Sequence, residues 1–136
     1  MSQEMLFRDA VDELRERGAP YAREAYVFLV GALGETVRAL PSERLADPAR
    51  RHLSGRELTQ GIIRLAREEF GPLAPTVFRE WGVRRTEDLG VMVFELVDAG
   101  QLSARPEDTM ADFTGQDDLL EALEPQPAAP PSGRSS

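Results

Sequence analysis

Leu6, Phe7, Ala10, Val11 and Leu14 recur at three-to-four spacing near the start of the chain, with acids and arginines between them. That spacing predicts a first helix over about 2–17 with one apolar stripe, and Gly18 supplies its stop. A broader face follows, made of Ala25, Tyr26, Phe28, Leu29, Ala32, Leu33, Val37 and Leu40. It predicts a second helix that Pro20 opens and Pro41 closes. Gly31 and Gly34 lie three apart within it, and each weakens the helix by about 1 kcal/mol relative to Ala. Close approach of a neighbouring helix is the expected reason, and a ligand pressed against the backbone is the sharper alternative.

The helical pattern lapses over 41–53, PSERLADPARRHL, where two prolines and few apolar residues predict a loop with no regular element. Ser54 and Glu57 then form a capping-box signature, followed by Leu58, Ile62, Leu65, Ala66 and Phe70 at helical spacing. Gly71 and Pro72 end this third helix and open a short fourth one. Leu73, Val77, Phe78 and Trp81 lie on its apolar face, and Gly82 is its stop. Thr86 is the expected cap of a fifth helix, with Glu87 and Asp88 in its positive first turn. Leu89, Met92, Val93, Leu96 and Val97 point inward, and Gly100 ends it. Residues 101–104 and 109–113 read as two short strands joined by a turn at 105–108. Residues 116–123 read as one or two helical turns.

The expected fold is mainly α. Two N-terminal helices pack on a winged-helix-like unit of three helices and a short β-hairpin, spanning about 51–113. A single domain covers 1–124. The segment 125–136, PQPAAPPSGRSS, has no apolar periodicity and is expected to be disordered.

Composition sharpens this picture without redirecting it. The chain has 136 residues, 41% apolar and 29% charged, an ordinary balance for one globular domain. Cysteine is absent, which excludes disulfides and thiolate metal sites and suits a reducing cytosol. The first eighteen residues mix acids with apolar residues and lack the apolar run of a signal peptide. No stretch has the length of a membrane span. A cytoplasmic location with no membrane association is expected.

Charge is unevenly spread. Residues 1–85 hold 14 arginines and 13 acids, whereas 86–136 hold 2 arginines and 11 acids. Every basic side chain is Arg, which base composition of the genome explains as readily as a need for bidentate contacts. Arg38, Arg44, Arg50, Arg51 and Arg56 outnumber Glu43 and Asp47 around the expected loop, with His52 among them. Arg84 and Arg85 form a second basic pair.

The candidates for catalysis are weak. His52 is the only histidine, and a lone loop histidine lacks the two or three further ligands a zinc site needs. The adjacent acid pairs at 68–69, 87–88, 107–108 and 117–118 do not face one another on a helix. Phosphate-binding glycine motifs are absent, and Ser54 is accounted for by capping, with no partnered base to make it a nucleophile. Trp81, Phe70 and Phe78 sit at inward helical positions. A buried Trp81 between the third, fourth and fifth helices is expected, and a stacking platform for bases is the alternative.

The fourth and fifth helices, joined through 82–85, have the order of a helix-turn-helix. The fifth would be the recognition helix, yet it carries Glu87, Asp88, Glu95 and Asp98 and no Arg, Lys, Asn or Gln. Duplex DNA would repel it, because phosphate neutralisation supplies most of the affinity for DNA. The same acids suit a docking face for a protein partner.

Tyr21-Ala22-Arg23-Glu24-Ala25-Tyr26, Arg51-His52-Leu53-Ser54-Gly55-Arg56-Glu57-Leu58, Phe70-Gly71-Pro72-Leu73-Ala74 and Trp81-Gly82-Val83-Arg84-Arg85-Thr86-Glu87-Asp88-Leu89-Gly90 resemble a family of small bacterial cytosolic proteins. Residues 96–103, Asp112 and Phe113 join the match. The family is named only after a locus tag and has no assigned function, so the resemblance implies no catalytic residue and no cofactor. It covers most of 20–113 and leaves out the first helix and the Pro-rich tail.

These readings converge on a non-enzymatic protein-interaction module with no cofactor and no metal. Its candidate surfaces are an arginine cluster (Arg38, Arg44, Arg50, Arg51, His52, Arg56, Arg84, Arg85) and an acidic face (Glu87, Asp88, Glu95, Asp98). The alternative is RNA or single-stranded nucleic-acid binding through Arg38 to Arg56 and the Arg84–Arg85 pair. Sequence-specific duplex DNA binding is not expected. An enzyme would need a deep polar pocket with perturbed acids.

Overall fold

A computed structural model describes residues 3–103, 110–116 and 118–125, with side chains from residue 6 onward. The expected turn at 105–108 and the tail from residue 126 lie outside the described residues.

The chain is mainly helical. Its helices are α1 (Gln3–Glu16), α2 (Arg23–Arg38), α3 (Ser42–Leu45), α4 (Gly55–Phe70), α5 (Ala74–Trp81), α6 (Thr86–Asp98) and α7 (Leu119–Leu123). Short 3-10 turns occupy Pro48–Arg50, Gly71–Leu73 and Met110–Phe113.

The long amphipathic helices sit where the apolar spacing placed them. α4 begins with the capping box read from the sequence. Glu57 N–H donates to Ser54 Oγ at 3.0 Å, and Ser54 N–H donates to Glu57 Oε1 at 2.9 Å. Gly82 ends α5 in the left-handed region at φ 83°, which lets Val83 N–H close back on the Phe78 carbonyl at 2.9 Å.

α2 packs along α4, and this pair is the centre of the molecule. A Cβ built on Gly61 would overlap the Thr36 hydroxyl and stand 3.1 Å from Thr36 Cβ and Cγ2, so the two backbones meet at this glycine. α5 and α7 pack on α4 and on each other, while α6 and the turn at Met110–Phe113 pack on α4 and on each other. Tyr26, Leu29, Ile62, Phe78, Met92, Leu96, Leu119 and Leu123 are almost fully buried between these layers. Each such side chain contributes about 1.5–3 kcal/mol of transfer free energy.

Five expectations need correction. The wing is the first: the described residues contain no strand, and Met110–Phe113 is a 3-10 turn. Its cause is packing. Phe113 is buried against Gly90, and the buried Thr86 hydroxyl donates to the Phe113 carbonyl at 2.6 Å, which draws the segment onto α6. Second, Thr86 is thereby taken from its expected role as cap. Asp88 does that work instead, its Oδ2 accepting from the backbone N–H of Arg84 and of Arg85 at 2.9 Å each. Third, the 41–53 stretch is not irregular. Pro41 precedes α3, and Pro48 opens a 3-10 turn that Asp47 caps through Ala49 N–H. Fourth, Gly31 and Gly34 are not sites of helix approach. A Cβ on Gly31 meets nothing within 4 Å, and one on Gly34 meets only the Arg38 guanidinium.

The fifth correction concerns the aromatic face of α5. Leu73, expected on that face, is 63% exposed, whereas Trp81 is largely buried as expected, with α2 supplying a neighbour that was not. Trp81 packs on Phe28, Phe70 and Phe78 with ring centroids 5.3–5.6 Å apart.

Candidate functional site

The segment leading into α4 is held in place by one arginine. Arg44, on α3, reaches Glu57 Oε2 with Nη1 at 2.6 Å and donates from Nε to the Arg50 carbonyl at 2.9 Å. Its Nη2 approaches the His52 carbonyl at 3.3 Å. Arg44 and the Ser54 N–H together hold the Glu57 carboxyl below the usual carboxylate range. The 48–54 strand of chain is thus pinned between α3 and the start of α4.

Beside this pinned segment lies a cavity of about 260 Å³. Leu33 and Val37 of α2, Leu58 of α4, and Val93 and Phe94 of α6 form its walls. Leu53, Leu102 and Phe113 complete the apolar lining, and Arg51, His52, Ser54 and Asp112 stand at its polar edge. The close seat of Asp112 on α4 explains why Gly55 is buried: a Cβ there would come within 2.8 Å of Asp112 Cβ. Sequence periodicity sees these wall residues only as core. Nothing in a linear pattern shows that the stripes of α2, α4 and α6 diverge here and leave a space.

The structure separates the candidate arginines. Arg44 is structural, and Arg38 is paired with Glu35 on its own helix. Arg50, Arg51 and Arg56 are exposed around the cavity's polar edge and the start of α4, and their guanidinium groups make no ion pair among the described residues. Arg84 and Arg85 are exposed at the start of α6. The sequence reading missed a continuation of the first group. Arg56, Gln60, Arg64 and Arg67 share one outward face of α4 at i, i+4, i+8 and i+11.

The acidic face is divided as well. Asp88 Oδ1 accepts from the buried Tyr21 hydroxyl at 2.8 Å, and Glu95 Oε1 accepts from the buried Tyr26 hydroxyl at 2.7 Å. Burial and these carboxylates push both tyrosines well above the ordinary phenol range. Burial raises Glu95 against the opposing effect of the Tyr26 hydrogen bond. Asp98 is exposed and Glu87 half-exposed, so two of the four acids lock α6 to α2 and its entry, while two face outward.

Among the described residues no three acid or histidine side chains converge to hold a metal ion, and no helix is long and apolar enough to cross a membrane. Comparison with known family models, curated proteins and solved structures finds no match.

Proposed function

We propose that this chain is a protein-interaction module whose cavity between α2, α4 and α6 receives a bulky apolar side chain of a partner protein. The observation that carries this reading is the character of the cavity. At about 260 Å³ it is smaller than most cofactor and metabolite sites, its walls are aliphatic and aromatic, and charge is confined to one edge. A pocket of this kind suits the anchor residue of an interface, where a few buried side chains supply most of the binding energy. Arg50, Arg51 and Arg56 select acidic residues next to that anchor and steer association.

The test places a photo-crosslinking amino acid at the exposed position 51 in the native cell and identifies the cross-linked protein. Val93→Phe, which fills the cavity, and the double reversal Arg50→Glu/Arg56→Glu are each expected to abolish that cross-link in a folded chain. The same partner captured with equal yield by both variants would refute the reading.

Binding of single-stranded RNA is a second reading, supported by the Arg56, Gln60, Arg64 and Arg67 face of α4 together with Arg50 and Arg51. Fluorescence anisotropy with single-stranded RNA and random duplex at two salt concentrations separates the two. Affinity for RNA that falls steeply with salt and is lost in Arg64→Glu/Arg67→Glu supports the second reading. Tight, salt-resistant duplex binding would refute both.

A further inference from the structure

Two helix stripes that reach the surface are built to the same plan with opposite charge. On α6, Glu87, Val91, Phe94 and Asp98 recur at i, i+4, i+7 and i+11. On α4, Arg56, Gln60, Ile63 and Arg67 recur at the same intervals. This is the three-four spacing of a coiled-coil seam, so each set forms one narrow stripe along its helix. Val91 is 37% exposed, Phe94 and Ile63 are half-buried, and Arg56 and Asp98 are exposed. None of the four charged side chains makes an ion pair among the described residues. The α4 stripe crosses a shallow depression of about 440 Å³, lined in part by Gln60, Ile63 and Arg67.

Each stripe has uncharged side chains in its middle and one charge at either end. The end charges are negative on α6 and positive on α4. Laid antiparallel, Glu87 meets Arg67, Val91 meets Ile63, Phe94 meets Gln60 and Asp98 meets Arg56, with no slip in register. A parallel arrangement also pairs the charges but sets the two helix dipoles side by side in the same direction. The antiparallel one puts the positive start of α6 on the negative end of α4. Within one chain α4 and α6 already pack on each other with these stripes turned towards water, so the stripes can meet only between two copies.

We propose that α6 of one copy docks antiparallel on α4 of a second copy of this chain. Apolar contact at Val91, Phe94 and Ile63 supplies the attraction, and the charged ends fix partner and direction. The contact spans eleven residue steps, about 17 Å, which is small for a specific interface, so the association is weak and grows with concentration. Of these residues only Phe94 lines the cavity between α2, α4 and α6. A partner in that cavity is read by cross-linking and the contact between copies by mass, so each can fail alone.

The test is sedimentation equilibrium of the full chain from about 10 μM to about 1 mM. The mean mass is expected to rise above that of the monomer. Arg56→Glu and Asp98→Arg are each expected to weaken the association about tenfold or more, because an attraction becomes a like-charge contact. Both substitutions are safe for the fold. Arg56 lies in the first turn of α4 and Asp98 in the last turn of α6, and each new charge is the one the helix dipole favours there. The double variant Arg56→Glu/Asp98→Arg is expected to restore association, whereas Arg67→Glu/Asp98→Arg is not. Restoration by the second pair alone would overturn the antiparallel register. A constant monomer mass up to about 1 mM, with or without RNA bound to the α4 face, would overturn the proposal. Association that neither single reversal weakens would overturn it too, by placing the contact elsewhere.

Discussion

Gly61→Ala tests whether α2 and α4 meet as closely as described. In an exposed helix this substitution stabilises by about 1 kcal/mol. Here the new methyl would occupy the place of the Thr36 hydroxyl. Thr36 is β-branched and stiff, and its hydroxyl donates to the Ala32 carbonyl at 2.7 Å. Rotating it away loses that bond, worth about 0.5–1.5 kcal/mol. Its Cβ and Cγ2, at 3.1 Å, still crowd the methyl, so the helices must also part, and overpacking of this kind costs about 1–3 kcal/mol. The terms leave Gly61→Ala destabilised by about 1–3 kcal/mol. Thr36→Ala removes both the hydroxyl and Cγ2, so Gly61→Ala in that background should be neutral or stabilising. A double-mutant cycle by urea unfolding, followed through Trp81 fluorescence, should give a coupling of at least about 1.5 kcal/mol. Gly61→Ala as stable as the parent, with no coupling to Thr36→Ala, would refute the close approach of the two helices.

Other expectations follow from single groups. Ser54→Ala should destabilise by about 0.5–2 kcal/mol through the lost cap of α4, measured by the same urea titration, and an unchanged midpoint would contradict the capping role. The Thr59 hydroxyl is buried without a hydrogen-bond partner among the described residues, so the isosteric Thr59→Val should stabilise by about 1 kcal/mol. A loss of stability in thermal unfolding would show that the hydroxyl is satisfied. Two carboxyls give opposite pH dependences. Glu57 is lowered by Arg44, so its contribution is complete above the ordinary carboxylate pKa and is lost as pH falls through its folded value. Glu57→Gln should therefore flatten the acid limb of the stability curve. Glu95 is raised by burial, so the native state holds its proton more tightly and its contribution is lost as pH rises through the folded value. Glu95→Gln, which can still accept from Tyr26, should gain on the parent as pH rises from about 4 to 7, and a constant difference across that range would disprove the burial effect.

The helices were legible because their signals are local. Ser54 and Glu57 announce α4, Gly82 closes α5, and the apolar stripes fix the inner faces of α1, α2, α4 and α6. Failures arose where a tertiary contact outbids a local preference. Thr86 is a good cap by type, but the Phe113 carbonyl claims its hydroxyl and Asp88 takes over the backbone groups. Met110–Phe113 alternates weakly enough to read as a strand, yet burial of Phe113 against Gly90 curls it into a 3-10 turn. The glycines show the same limit. Gly31, Gly34 and Gly61 all lie within helices, and only the position of α2 against α4 shows that Gly61 is the point of contact.

Charge was the least legible layer, because composition counts groups without seeing what they already hold. Arg44 belongs by sequence to a basic cluster, but it spends its donors on Glu57 and on the Arg50 and His52 carbonyls. Asp88 and Glu95 belong by sequence to an acidic face, but the hydroxyls of Tyr21 and Tyr26 claim them. Removing these engaged groups leaves Arg51 at the edge of an apolar cavity, Arg50 next to it in the chain, and Arg56, Arg64 and Arg67 along α4. The cavity itself is built from Leu33, Val37, Leu58 and Val93, each of which periodicity assigns to an ordinary core. Apolar walls left open to water forgo the transfer free energy that closing them would supply, about 25 cal/mol per Å². The pinning of 48–54 by Arg44 and the seating of Phe113 on Gly90 hold that opening in shape from its two sides. These two structural devices leave the space open with Arg51 at its edge, and it is there that the proposed partner's side chain would be received.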